Sequence, residues 1–339
     1  MRRPTAARLG RLLDAFPRVR LAVWGDLVLD EFLLGDVRRI SREAPVLILE
    51  YRSSEAVPGG AANTAANVAA LGAHVAPIGL VGDDDGGRRL RAILGRAGAE
   101  PAGILPLSGF TTPTKTRVLG AGLHTTRQQI VRIDRGRPYE PPAPVARRLA
   151  AAALEAASAA DGLVVADYGY GTVQPAAVRR LTRRLRAAGK LVVVDSRWRL
   201  LEFHGATAVT PNEPEVEAAL RTTIGNNTKR LESAGRSLLR RIGASAALIT
   251  RGSEGMALFE PRRPALHIPI YGSDQVADVT GAGDTVIATF TLALAAGATP
   301  AEASFLANYA GGIVVMKRGT ATVSHGELTR AVTMDRALD

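Results

Sequence analysis

The sequence predicts an α/β protein with a doubly wound, mostly parallel sheet flanked by helices on both faces. Short runs rich in Val, Ile and Ala alternate along the chain with longer runs that have helical periodicity. Most of the short runs end in a polar or small residue. With 339 residues, of which 46% are hydrophobic, the chain can also fill a large core.

Five short runs have the composition of buried strands: RLAVWGD, GLVVADY, KLVVVDS, ATAVTPN and AALITRG. Helical runs such as residues 175–188 lie between them. In an open parallel sheet, ligands bind beyond the carboxyl ends of the strands. We therefore expect four residues at strand ends to meet at one crevice, namely Asp26, Asp167, Asp195 and Asn212.

Two regions, residues 32–52 and 112–134, interrupt the alternation of strand-like and helical runs. They lack long helical runs and contain alternating stretches such as APVLILEYR, TKTRVLG and RQQIVRID. We expect these stretches to form a small separate β-sheet, which acts as a lid over the crevice or as a contact between subunits. The chain has no internal repeat and no low-complexity linker, so residues 1–339 are predicted to form one domain that includes this lid.

Composition excludes several classes of protein. The chain has no cysteine, which rules out disulfides and thiolate metal sites. Its apolar runs stay short of the ~18 residues of a membrane span, so we expect a cytoplasmic protein with no membrane contact. The net charge of +11 suggests a nucleic-acid partner. However, the arginines alternate with apolar positions and aromatic residues make up only 4%, which favours a solvated helix face instead.

Familiar catalytic motifs are missing: the sequence has no G-x-x-x-x-G-K-[ST], G-x-G-x-x-G, G-x-S-x-G or H-E-x-x-H. The stretch DVTGAGDTVIATF, residues 278–290, instead places two glycines and an acid before an apolar helical run. Amides near Gly281 and Gly283 at a helix N-terminus would bind an anion, and Asp284 would accept a proton from a hydroxyl that attacks a phosphate. The alternative is that Asp284 only begins the helix and the glycines only form a turn.

A second group of short polar residues lies nearer the N-terminus. Gly59 and Gly60 precede a predicted helix that carries Asn63 and Asn67, and Asp30 lies upstream of them. Unshielded amides and short polar side chains of this kind suit a polyhydroxylated ligand. The alternative is a plain loop followed by capping and surface asparagines.

A third group is the segment VTPNEPEVEAA, in which Asn212 follows a predicted strand and Glu215 comes three residues later. Both side chains would reach the crevice and hold magnesium-bound water near a phosphate, since Mg²⁺ prefers oxygen ligands and retains its waters. The spacing also predicts a capping box, in which the two residues bond each other's backbone. The two interpretations are compatible.

These three groups, in this order, resemble the ribokinase-like (PfkB) family of carbohydrate kinases. The matching segments are DVTGAGDT, GGAANTAANVAALGA with GLVGDDDGG, and the N-x-x-E of residues 212–215. Within that family the chain is most similar to the kinases of D-glycero-D-manno-heptose 7-phosphate, through WGDLVLDEFLLGDVRRISREAPV, RQQIVRID and KRGTATVS. In many bacteria such a kinase is the first domain of a bifunctional protein of ADP-heptose synthesis. The present chain ends soon after KRGTATVS, so we expect no fused nucleotidyltransferase domain.

The resemblance implies a ribokinase-like fold and an enzyme that uses ATP and Mg²⁺ to phosphorylate the anomeric hydroxyl of a heptose 7-phosphate. It implies that Asp284 is the catalytic base and that the anion hole consists of Gly281, Ala282 and Gly283. The sugar site would comprise Asp30, Gly59, Gly60 and Asn63. Asn212 and Glu215 would serve the nucleotide, with Glu215 binding Mg²⁺ through water, and Asn308 would lie near the adenine. The lid of such kinases often forms dimer contacts, so a homodimer is expected.

Arg117 and Arg132, in the lid-like strands, are further candidates for binding the 7-phosphate, because a guanidinium matches phosphate oxygens. The alternative for each is an exposed strand arginine. Three segments depart from the family pattern and each loses or moves a positive charge: DEF at 30–32 replaces D-R-Y, DYGYG at 167–171 replaces D-Y-x-K-G, and DSR at 195–197 replaces D-P-K. These departures leave two other functions open, a kinase of another sugar such as a fructokinase or ribokinase, and a catalytically silent sugar-binding regulator.

Overall fold

The computed structural model describes residues 3–121, 128–272 and 277–335, which form thirteen strands and ten α-helices. The strands are β1 (Arg20–Gly25), β2 (Leu27–Ile40), β3 (Leu47–Gly60), β4 (His74–Gly82), β5 (Ile104–Leu107), β6 (Thr114–Ala121), β7 (Gln128–Arg135), β8 (Gly162–Asp167), β9 (Leu191–Ser196), β10 (Ala208–Val209), β11 (Ala246–Thr250), β12 (Met256–Phe259) and β13 (Leu266–Ile268). The helices are α1 (Ala6–Leu13), α2 (Ala61–Ala70), α3 (Asp85–Arg96), α4 (Ala143–Ala159), α5 (Pro175–Ala187), α6 (Glu213–Leu220), α7 (Thr228–Ile242), α8 (Ala282–Ala295), α9 (Pro300–Val315) and α10 (His325–Met334).

Nine strands form the large sheet, in the order β13-β12-β11-β10-β9-β8-β1-β4-β5. All neighbours from β11 to β5 are parallel, and only β12 and β13 are antiparallel. The chain adds β4 and β5 on one side of β1 and then returns to place β8 on the other side. This reversal opens a crevice at the carboxyl ends of β1 and β8. The five predicted strands are β1, β8, β9, β10 and β11, so the predicted fold class is confirmed.

Helices cover both faces of the large sheet and bury two separate apolar layers. One layer contains side chains of α1, α2, α3, α8, α9 and α10, and the other contains side chains of α4, α5, α6 and α7. Strand β8 is buried at all six of its positions. A strand covered on both faces has no polar side to present, which explains why GLVVAD is a continuous apolar run and does not alternate.

A second, four-stranded sheet has the order β3-β2-β6-β7. Strands β2 and β3 form a long antiparallel pair, β6 runs parallel to β2, and β7 is antiparallel to β6. The small sheet expected from residues 32–52 and 112–134 is therefore present. Residues 122–127 of the second region lie outside the described residues.

The bounds of this small sheet differ from the prediction at its base. Strand β2 begins at Leu27, five residues before the predicted start at residue 32, and β3 continues to Gly60. Only Asp26 separates β1 from β2, so the chain passes from one sheet directly into the other. Gly59 and Gly60 accordingly end a strand and do not form a free loop, which brings them to the carboxyl end of β1.

Among the described residues, no helix is both long and apolar enough to cross a membrane. The run that comes nearest to the composition of a membrane span, residues 286–298, falls mainly within α8 and packs inside the core.

Candidate active site

The crevice is a cavity of about 440 Å³ between the carboxyl ends of the central strands, the start of α8 and the small sheet. Most of the predicted site residues line it: Asp30, Gly60, Arg117, Arg132, Asn212, Glu215, Gly281, Gly283 and Asp284. Three of the four strand-end residues expected to meet also line it, namely Asp167, Asp195 and Asn212.

Asp26 is the strand-end residue that does not line the crevice. Its carboxylate is buried and accepts hydrogen bonds from the backbone amides of Tyr168, Tyr170 and Thr172, at 2.8, 3.0 and 3.0 Å. The expectation that Asp26 faces the ligand is therefore wrong. The chain turns into β2 immediately after Asp26, so its side chain points beneath the loop that follows β8 and holds that loop in place.

Helix α8 begins at the edge of the crevice with the segment Gly281 to Asp284. Gly281 has a φ of 80°, and a Cβ at this position would lie 2.6 Å from Nδ2 of Asn63, so only glycine fits. A Cβ on Gly283 would meet no atom within 4 Å, and both Gly281 and Gly283 line the cavity. The amide of Ala282 instead donates to the carbonyl of Val279 at 3.2 Å, so the prediction that Ala282 supplies a free donor to the anion hole is wrong. The amides of Gly281 and Gly283 and the positive end of the helix dipole remain for a bound anion.

Asp284 is the third residue of α8, yet its carboxylate turns to the crevice. It is 4% exposed. Asn63 donates from Nδ2 to Oδ2 at 2.9 Å, Thr64 donates from Oγ1 to Oδ1 at 3.4 Å, and the hydroxyl of Tyr168 donates to Oδ1. All three partners are side chains of other elements, so Asp284 does more than begin a helix.

The electrostatics of Asp284 suit a proton acceptor. Burial raises the pKa of its carboxyl group to about 6, while the hydrogen bonds from Tyr168 and Asn63 oppose that rise. A carboxylate with a pKa just below neutrality is charged at pH 7 and holds a proton more firmly than an exposed aspartate. It can accept a proton from a hydroxyl placed between it and the amides of α8.

Polar residues of the predicted sugar site lie next to this base. Asn63 and Asn67 on α2 are 1% and 0% exposed, so the alternative of surface asparagines is wrong. Gly59 packs against Asp30, because a Cβ there would lie 2.6 Å from the Oδ2 atom of that aspartate. Gly60 has a φ of 55° and lines the crevice.

The two lid arginines differ in their surroundings. Arg117 is 8% exposed and binds Asp30 at 2.8 Å, so the alternative of an exposed strand arginine is wrong for Arg117. The side chain of Arg132 is 48% exposed and binds Asp134 through Nε and Nη2, at 2.8 and 2.9 Å. Both arginines line the crevice, and both already have a carboxylate partner.

Asn212 and Glu215 form the predicted capping box at the start of α6. The amide of Asn212 donates to Glu215 Oε2 and the amide of Glu215 donates to Asn212 Oδ1, each at 2.9 Å. The same two side chains line the crevice, so the capping role and a ligand role are compatible. Burial raises the pKa of Glu215 and, together with repulsion from Glu215 and Asp284, raises the pKa of Asp195 well above its ordinary value.

These carboxylates suit a hard divalent cation. Oxygen ligands are those that Mg²⁺ prefers, and a cation at Asp195 and Glu215 would relieve the repulsion between them. Within residues 3–121, 128–272 and 277–335, no group of three or more His, Cys, Asp or Glu side chains is placed to hold a metal. A magnesium ion here would thus rely on water and phosphate oxygens for most of its ligands, as this ion commonly does.

A second cavity of about 300 Å³ adjoins the crevice and shares Asn212, Thr250, Val279 and Gly283 with it. Its remaining lining is mainly apolar or glycine and includes Met256, Ile270, Val286 and Val315. Asn308 of α9 lies in its wall and donates from Nδ2 to the carbonyl of Pro269 at 2.9 Å. The cavity offers a flat apolar ring a place beyond the amides of α8.

Sequence reasoning did not single out three residues that line the crevice: Lys115, Tyr168 and Arg197. Lys115 had a usable signal, because residues two apart on a strand share a face and Arg117 was already a candidate. Tyr168 and Arg197 had only their places directly after β8 and β9. Their side chains reach the crevice through loop conformations that the sequence pattern does not specify.

The fold is similar to that of solved sugar kinases. Ribokinase of Arabidopsis thaliana complexed with ribose and ATP superposes with a TM-score of 0.72 at 20% identity, over 94% of this chain and 99% of that one. Phosphofructokinase-2 of Escherichia coli in complex with substrates and products gives 0.75 at 18% identity, over 93% and 98%. The protein therefore has the ribokinase-like α/β fold.

Residues 21–325 match the family described as pfkB family carbohydrate kinase. The chain belongs to this family and is an enzyme that transfers a phosphoryl group to a sugar hydroxyl. The resemblance stated from the sequence motifs is thereby confirmed.

Two curated relatives with the same name match nearly the whole chain. "Bifunctional protein HldE" of Caulobacter vibrioides is 42% identical over 323 residues, and that of Methylococcus capsulatus is 40% identical over 329 residues. These matches cover 95% and 96% of this chain but 65% and 66% of the relatives. The chain thus spans just under two thirds of the length of the curated relatives that it matches.

Proposed function

We propose that this enzyme transfers the γ-phosphoryl group of ATP to the anomeric hydroxyl of D-glycero-D-manno-heptose 7-phosphate and releases the 1,7-bisphosphate and ADP. The observation that carries the phosphoryl transfer is the buried carboxylate of Asp284 beside Gly281 and Gly283, which line the same cavity at the start of α8. Two negative groups, a carboxylate and a phosphate, are held close together there only if a hydroxyl stands between them. That hydroxyl is the phosphoryl acceptor.

In this reaction Asp284 accepts the proton of the anomeric hydroxyl as its oxygen attacks the γ-phosphorus. The bond between the γ-phosphorus and the bridging oxygen breaks, and its electron pair leaves with ADP. The amides of Gly281 and Gly283 donate to the oxygens of the transferred group, where negative charge is most concentrated. Asn63, Thr64 and Tyr168 hold the carboxylate in its orientation.

The nucleotide is assigned to the second cavity, with the adenine near Asn308 and the phosphates directed to α8. Asn212 lies where the two cavities join. Glu215 would hold Mg²⁺ through water, with the carboxylate of Asp195 nearby. When bound, Mg²⁺ supplies positive charge that neutralises the phosphate oxygens.

The sugar is assigned to the other side of Asp284, against Asp30, Gly59, Gly60 and Asn63. Heptose 7-phosphate is favoured over other sugars by the motif resemblance and by relatives at about 40% identity that are named as bifunctional HldE proteins. A kinase of another sugar or sugar phosphate is the second candidate, favoured by the departures at residues 30–32, 167–171 and 195–197.

The small sheet supports a homodimer. It carries several large apolar side chains that are exposed in the single chain, including Ile40 at 63%, Tyr51 at 62% and Val131 at 48%. Exposed apolar groups gathered on one element favour association with a partner surface. Sedimentation of the purified protein tests this assignment, and a monomer at micromolar concentration would contradict it.

An ADP-release assay over free and 7-phosphorylated heptoses, hexoses and pentoses tests the activity. The highest kcat/KM is expected for D-glycero-D-manno-heptose 7-phosphate, and ³¹P NMR of the product should show an added phosphate on the anomeric carbon. Preference for a free hexose would contradict the heptose assignment alone. If no sugar elicits ADP release, the kinase hypothesis fails, and the alternative of a catalytically silent sugar-binding regulator is then favoured.

A further inference from the structure

Two cationic side chains face the crevice without a carboxylate partner among the described residues. Lys115 projects from β6 of the small sheet and Arg197 from the loop after β9, and both line the cavity. In the described part of the chain neither side chain takes part in a hydrogen bond or ion pair. Each instead stands beside an aromatic ring, with Lys115 Nζ 5.6 Å from the centroid of Tyr168 and Arg197 Cζ 5.4 Å from that of Trp198.

The two arginines of the small sheet that also line the crevice, unlike Lys115 and Arg197, have carboxylate partners. Arg117 is held by Asp30, and Arg132 is held by Asp134 through two bonds. A guanidinium that is already paired must give up or share its carboxylate before it can bind another anion. The two unpaired cations are therefore better placed to bind an anionic ligand than the two arginines first considered for that role.

The position of Lys115 is unfavourable in the free enzyme. Burial lowers the pKa of its ammonium group; Asp30 opposes this effect, whereas the positive charges of Arg197, Arg117 and Arg132 add to it. A largely buried ammonium group without a hydrogen-bonded partner costs stability. A bound anion would supply that partner and offset the loss of stability.

The location of Lys115 indicates which anion this is. Its ammonium lies over the ring of Tyr168, whose hydroxyl is bonded to Asp284, and the negative charge that most opposes the fall in its pKa is that of Asp30, in the predicted sugar site. An anion held there lies on the sugar side of the catalytic base. The second cavity, assigned to the nucleotide, does not include Lys115 or Arg197 in its lining.

We propose, building on the kinase activity proposed above, that Lys115 and Arg197 together bind the phosphate monoester of the sugar substrate and select a sugar phosphate over the free sugar. The phosphate dianion is held between an ammonium on the small sheet and a guanidinium on the large sheet. It therefore joins the two sheets when substrate binds.

The test compares kcat/KM for heptose 7-phosphate and for the unphosphorylated heptose in the wild type, Lys115→Met and Arg197→Gln. Each variant is expected to lose roughly tenfold to hundredfold in kcat/KM for the phosphorylated sugar, the contribution of one hydrogen bond to a charged group. Lys115 also helps to lower the pKa of Asp284, so the assay is run near pH 8, where that carboxylate stays charged in the variant. There the value for the free heptose and the KM for ATP should remain within about twofold of wild type, because neither ligand uses the subsite.

Arg135→Gln is the matched control, since Arg135 lies on β7 of the same sheet, is 57% exposed and does not line the crevice. It should leave both sugars unaffected. Lys115→Met should have an unchanged or higher melting temperature without ligand, because it removes a buried unpaired charge. A folding defect is thereby distinguished from loss of the subsite.

Two results would overturn the proposal. The first is an unchanged preference for the phosphorylated sugar in both variants. The second is a raised KM for ATP with that preference intact, a result that would assign the two cations to the nucleotide. If none of the sugars makes the wild type consume ATP, the proposed kinase function is refuted independently of the phosphate subsite. Calorimetric titration of heptose 7-phosphate without ATP then decides the subsite. Binding weakened about tenfold or more in both variants would support it, and equal binding would refute it.

Discussion

Tyr168 is predicted to tune the proton affinity of Asp284. Its hydroxyl is one of three side-chain donors to the carboxylate, and it acts against the burial that raises the pKa of Asp284 to about 6. Burial raises the pKa of Tyr168 itself well above its ordinary value, so the hydroxyl keeps its proton and remains a donor across the working pH range. Replacing Tyr168 with Phe removes this donor and should raise the pKa of Asp284 further.

The size of this effect follows from the bond that is lost. A hydrogen bond to a charged group contributes roughly 1.5–3 kcal/mol. Because a change of one in pKa corresponds to about 1.36 kcal/mol, loss of the whole bond would raise the pKa of Asp284 from about 6 to between about 7 and 8. Asn63 and Thr64 still donate to the carboxylate in the variant, which holds the expected value near 7.

The pH dependence of kcat/KM from about pH 5 to about pH 9 measures this change, since it reports the ionisation of the free enzyme. Asp284 must be charged to accept a proton, so wild-type activity should fall as the pH drops through about 6. In Tyr168→Phe the fall should be centred near pH 7. Thr64→Val, which removes a longer bond of 3.4 Å, should shift the curve much less. Acid limbs that coincide for wild type and Tyr168→Phe would refute this reasoning.

Three further predictions concern the start of α8 and the metal. Gly281→Ala should lower the stability by about 1–3 kcal/mol in urea unfolding, because its φ is 80° and the added Cβ would lie 2.6 Å from Nδ2 of Asn63. Gly283→Ala, whose Cβ meets nothing within 4 Å, should not be destabilised. Asp284→Asn should be more stable than wild type by up to about 3 kcal/mol near pH 8. Because burial raises the pKa of Asp284 from its ordinary value of 3.8 to about 6, the cost of its charge builds up between about pH 4 and pH 6 and is constant above, so the difference should vanish below about pH 4. Chelation of Mg²⁺ by EDTA should abolish ADP release, and activity that persists would contradict a metal role for Glu215.

The large sheet was predictable because buried parallel strands have a local signature. Runs such as GLVVAD are apolar up to a final polar residue, and nothing distant along the chain is needed to recognise them. The start of β2 was not predictable in this way. Residues 27–29 are buried like those of β1 and are separated from it by Asp26 alone. A local pattern cannot distinguish one continuous strand from two that enter different sheets.

The site was predictable at the level of segments and not at the level of contacts. Asp284, Gly281 and Asn212 each lie at a helix start that the sequence marks. The pairing of Asp30 with Arg117 joins residues 87 apart, and that of Tyr168 with Asp284 joins residues 116 apart. Such contacts depend on the order of strands in the sheets, about which periodicity carries no information.

The role of Asp284 as the catalytic base is tested most directly by the kcat of Asp284→Asn at saturating ATP and heptose 7-phosphate, near pH 8. Asparagine has nearly the same shape as aspartate but cannot accept the proton. A kcat lower than wild type by about 10²- to 10⁴-fold, with KM values for both substrates little changed, is expected. A kcat within about threefold of the wild-type value would contradict the assignment of Asp284 as the base.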